Sequence, residues 1–179
     1  MLAILTLIVI VAWCFLGNLI DKPGLFLETT CQRTDANASA ASLKLATSLQ
    51  QEALQLLDHL KSKYPSDART KTLDQVWNKQ VLPATMFDNP RVKASFNKKT
   101  GCLYMRLDEV RSLDAWRAVL LHELAHVSGK QHDETYRQMW LFLLKVATKE
   151  LGWTVKLNCQ TACTSYNVCG TDCELCDCV

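Results

Sequence analysis

Three of the four histidines fall within eleven residues, His122 to His132, in the stretch HELAHVSGKQH. Such a set suits a divalent metal ion. Residues four apart share one face of a helix, so His122 and His126 can present their imidazoles to a single ion. Zinc takes histidine nitrogen at about 2.0–2.1 Å, and its catalytic sites use three protein ligands and a water. Glu123 stands about 100° round the helix from His122, beside such a water rather than on the ion. There it would take a proton as water attacks a peptide carbonyl and return it to the leaving amine. This is the chemistry of an HExxH spacing, so zinc-dependent peptide hydrolysis with Glu123 as general base is expected.

His132 is the first choice for the third ligand, because Gly129 lets the chain leave the helix and swing back toward the ion. Ligation by a glutamate with a solvated His132 is the alternative. Asp133 and Glu134 lie beside it, and Glu150 lies farther on. His59 reads as a surface residue of an upstream helix.

These residues need elements to hold them. Apolar residues recur three or four apart from Ser39 to Lys63, which predicts a helix stopped by Pro65. A second, over Ala68 to Lys79, turns Leu73, Val76 and Trp77 inward. Two β-favouring runs, Val92 to Phe96 and Cys102 to Leu107, flank a polar turn ending in Gly101 and predict a hairpin. The HELAH helix follows, capped by Ser112 or Asp114 and stopped at Gly129. Asp133 and Glu134 open another, closed by Gly152, with Tyr136 and Met139 on its inner stripe. Trp116 and Tyr136 read as core, and WTVKL as a last strand. Tyr104, on the hairpin, is a candidate for the border of a cleft.

Residues Met1 to Ile20 carry no charged side chain, and the run is about long enough to cross a bilayer as a helix. With no basic residue before it and no small-residue cleavage site close after it, an uncleaved anchor is expected, with a signal peptide as the alternative. The expected organisation is therefore a transmembrane segment over 1–20, a linker over 21–38, a catalytic domain over 39–157 and a Cys-rich tail over 158–179. Six of the nine cysteines lie in that tail. Their spacing permits either disulfides or a second, structural zinc. The net charge of +2 and the lack of a Lys/Arg-rich run leave nucleic acid undecided as a partner.

The literal spacing His122-Glu123-x-x-His126-x-x-Gly129-x-x-His132 meets the metzincin pattern. That fold also needs a methionine turn beyond the third histidine, and Met139 falls inside a helix instead. The segment YPSDARTKTLDQVW, the CLYMRL strand, AVLLHELAH, and His132 followed by TYRQMWLFLLKVATKELGW resemble the WLM and SprT-like metallopeptidases, in particular WLM-type proteins of large DNA viruses. The resemblance implies zinc ligands at His122, His126 and His132, with Glu123 as general base. The fold expected is α+β, a zincin-like domain with a β-hairpin packed on the HExxH helix. The function expected is a membrane-anchored, single-pass zinc metallopeptidase acting on a protein or peptide substrate. An inactive zincin-like adaptor and a secreted metzincin-like protease are the alternatives.

Overall fold

Helix α1, Ala40–Lys63, starts where the sequence offers a cap: the Ser39 hydroxyl accepts from the Ser42 amide at 3.1 Å. The computed structural model describes residues 31, 38–84, 92–108, 111–129 and 132–156. All of them belong to one unit, Cys31–Val179. Ala46, Leu49, Ala53, Leu56, Leu57 and Leu60 form the inner stripe of α1 and are buried. The helix ends at Tyr64, directly before Pro65, which disfavours a helical conformation in the residue preceding it. Helix α2, Ala68–Val76, is capped by Asp67 and ends at the buried Trp77.

Three short strands follow: β1 (Val81–Pro83), β2 (Ala94–Asn97) and β3 (Cys102–Met105). Their order is β1-β3-β2, with β2 antiparallel and β1 parallel to β3. The β2–β3 hairpin is the one expected, while β1 was not foreseen. Its three residues include Pro83, and no alternation that short separates a strand from a loop. Its pairing is completed from elsewhere: the Val81 amide donates to the Gln50 side chain of α1 at 3.1 Å. Gly101 has φ +69°, the left-handed conformation that the hairpin turn requires and glycine tolerates best.

Helix α3, Leu113–Ala125, is capped by Ser112, whose hydroxyl accepts from the Ala115 amide at 3.2 Å. Trp116, Leu120, Leu121 and Leu124 are fully buried and pack α3 against β2 and α1. Helix α4, Glu134–Lys145, is capped by Asp133 and packs on α3. It continues as a π-helical turn over Val146–Glu150, and Gly152 at φ +69° turns the chain away.

Three sequence expectations need correction. Helix α3 stops at Ala125, not Gly129. Instead the chain tightens into three-residue turns, with amides 126, 127, 128 and 129 donating to carbonyls 123, 124, 125 and 126. Residues 153–156 of WTVKL form no strand. Trp153 donates to Ala147 and Lys156 to Asp114, so their backbone is spent on helix ends rather than on the sheet. The expected transmembrane helix is withdrawn from the fold. No helix of the described residues is long and apolar enough to cross a membrane, and residues 1–20, on which the span was placed, lie outside them. The tail, 158–179, also lies outside.

Candidate metal centre

The last turn of α3 and the entry to α4 bring three imidazoles together. His122 and His126 come from α3 and its cap, and His132 from the residue before the α4 cap. One ligand atom from each lies within 4.8 Å of the other two. The ring centres form a nearly equilateral triangle, with 5.0 Å on every side. His122 and His126 are partly buried and His132 is exposed, so the cluster opens to the surface along its His132 side.

Hydrogen bonds select the tautomers. The Nδ1 of His126 lies 3.0 Å from the Gly129 carbonyl, which can only accept, so Nδ1 carries the proton and Nε2 keeps its lone pair. At His122 the partner is Tyr136, whose hydroxyl lies 2.7 Å from Nδ1 and donates to the His122 carbonyl at 3.3 Å. With its hydrogen so directed, the hydroxyl accepts from Nδ1–H and again leaves Nε2 bare. The Tyr136 ring also packs against His126 and His132, with centres 4.7 and 4.6 Å away. The sequence reading took Tyr136 as core, which its burial bears out, but missed its hydroxyl. The available signal was a tyrosine, not a phenylalanine, on an inner stripe, where the O–H needs a partner.

Burial also keeps the rings neutral. It pushes His122 down to about 3, helped by the nearby His126 and His132 rings. His126 is lowered by burial, against the opposing bond to Gly129, and His132 by burial alone. Neutral imidazoles are what metal coordination needs.

Glu123 lies apart from this set. Its Oε1 is 3.7 Å from His122 Nε2, beyond hydrogen-bond reach, and it is not in the group of mutually close ligand atoms. Burial raises its carboxyl to about 7, against the opposing Phe96 amide. The acids weighed as substitutes for His132 are engaged elsewhere. Asp133 caps α4, Glu134 holds Arg137 at 2.8 Å, and Glu150 takes His59, Tyr64 and Lys63. His59, read as a surface residue, is hydrogen-bonded through Nε2 to Glu150 at 2.6 Å.

The family profile of the Phycodnaviridae minor capsid protein P4 matches residues 29–179. The chain belongs to that family. Minor capsid protein P4 of Paramecium bursaria Chlorella virus 1 is 29% identical over 141 residues, which span 72% of this chain and 77% of that protein. No solved structure matches the chain significantly.

Membership corrects the expectation of a WLM or SprT-like zinc metallopeptidase. The enzyme assignment falls with it, as do the adaptor and secreted-protease alternatives and the single-pass membrane localisation. The physical reason is that HExxH specifies the side chains of one helical turn and its immediate chemistry. It does not specify the fold around that turn, the substrate cleft or a scissile bond.

Proposed function

We propose that this chain is a minor capsid protein: a structural, non-enzymatic component of a viral particle that works by contact with other virion proteins. The family match over residues 29–179 carries the reading, since it takes in every described element. Protein remains as the partner class, now as a neighbour in the particle rather than a substrate, and the expected membrane contact is withdrawn.

The described surface fits polar contacts with such neighbours. Among the described residues Leu113 is the one exposed large hydrophobic, at 37%. Contacts through the described surface are therefore proposed to run through charged and polar side chains, in the manner of an interface rim. The test is quantitative mass spectrometry of density-banded particles, coupled to cross-linking. The chain is expected at a constant ratio to the major shell protein, with cross-links from its lysines to other virion proteins. Abundance in infected cells with depletion from banded particles would overturn the proposal.

A further inference from the structure

We infer that His122, His126 and His132 form a zinc site that ties the end of helix α3 to the start of helix α4, a metal centre within a capsid-family domain. Two features converge on one ion. An ion bound at about 2.0–2.1 Å with tetrahedral angles holds three imidazole centres about 5 Å apart, and the three sides here are each 5.0 Å. The Nδ1 atoms of His122 and His126 are both occupied, by Tyr136 and by Gly129, so both rings offer Nε2. Outer-shell bonds of this kind fix the ring orientation of metal-ligating histidines and raise their basicity.

The donors also come from separate pieces of chain. His122 and His126 sit on one helical turn, whereas His132 follows the 127–131 connection. An ion bridging them restrains that connection as a cross-link would, so binding energy becomes folding energy. Three imidazoles leave one coordination position for water. Nitrogen-only ligation favours zinc over calcium or magnesium, which take oxygen.

The test uses the full chain and does not depend on its being found in particles. Metal is measured after dialysis against a mild chelator, for wild type and His132→Gln. His132 is exposed and precedes the helix cap, so this change leaves the core intact. Wild type is expected to hold one zinc more per chain than the variant. Cobalt substitution reports the ligands: an intense tetrahedral visible spectrum, lost in H132Q. In a variant with the six tail cysteines changed to serine, that spectrum should persist without thiolate charge-transfer bands. Zinc is expected to raise Tm in wild type and to lose most of that effect in H132Q. Equal metal content in the two chains, or a cobalt spectrum that needs the tail cysteines and ignores H132Q, overturns the inference.

Discussion

The hydroxyl of Tyr136 sits 2.7 Å from Nδ1 of His122, one helix orienting the side chain of another. Tyr136→Phe keeps the buried ring and removes the hydroxyl, with its bonds to Nδ1 and to the carbonyl of His122. The His122 ring then loses the partner that fixes its tautomer, and zinc affinity is expected to fall about 10–100-fold. Competition titration against a zinc chelator reads this directly. The metal-free variant should unfold within about 1–3 kcal/mol of the metal-free wild type, as the loss of two hydrogen bonds to His122 implies. Unchanged affinity would show that Tyr136 does no more than pack.

Gly101 and Gly152 share φ +69° but not their surroundings. A Cβ at Gly101 would collide with the Val76 carbonyl oxygen and lie 2.9 Å from the Asn78 amide nitrogen, whereas one at Gly152 meets nothing within 4 Å. Gly152→Ala should therefore cost only the left-handed penalty of about 1–2 kcal/mol. Gly101→Ala should cost clearly more, because backbone atoms cannot step aside. Urea melts of the two variants side by side test the ranking.

Cys31 and Cys102 form a disulfide across 71 residues of sequence, fastening residue 31 to the start of β3. A cross-link of that span restricts the unfolded chain enough to stabilise the fold by about 4 kcal/mol in the chain-entropy account. Changing both residues to serine should lower the urea midpoint accordingly. Peptide mapping without reductant should recover the Cys31–Cys102 pair from wild type. Recovery of both as free thiols from non-reduced protein would refute the linkage.

Glu150 gathers Tyr64, His59 and Lys63, and their hydrogen bonds pull its carboxyl down to about 2 from the usual 4.5. Because the folded value is the lower one, the stabilisation is fully present above the ordinary carboxylate value. It is lost as pH falls toward the folded value. Stability should thus decline between about pH 5 and pH 2, and Glu150→Gln should flatten that part of the profile. Denaturation midpoints across this range, compared between the two proteins, measure it. Parallel profiles would mean the cluster does not hold Glu150 ionised.

Local information in the sequence was sufficient for much of the scaffold. Ser39, Ser112 and Asp133 mark helix starts because each oxygen answers amides within three residues, and the stripe from Ala46 to Leu60 declares its buried face by period alone. The same short range made the histidines legible as a potential ligand set. It also misleads, since a turn of HExxH chemistry points to an enzyme, whereas the chain belongs to a capsid-protein family. Tertiary structure decided what sequence spacing leaves free. It paired β1 with β3 across an intervening strand, sent Glu150 to His59 instead of the histidine trio, and placed the Tyr136 hydroxyl on His122. Each of these joins residues far apart in the chain or on different elements, and their meeting depends on how packed faces settle against one another, which no local pattern encodes.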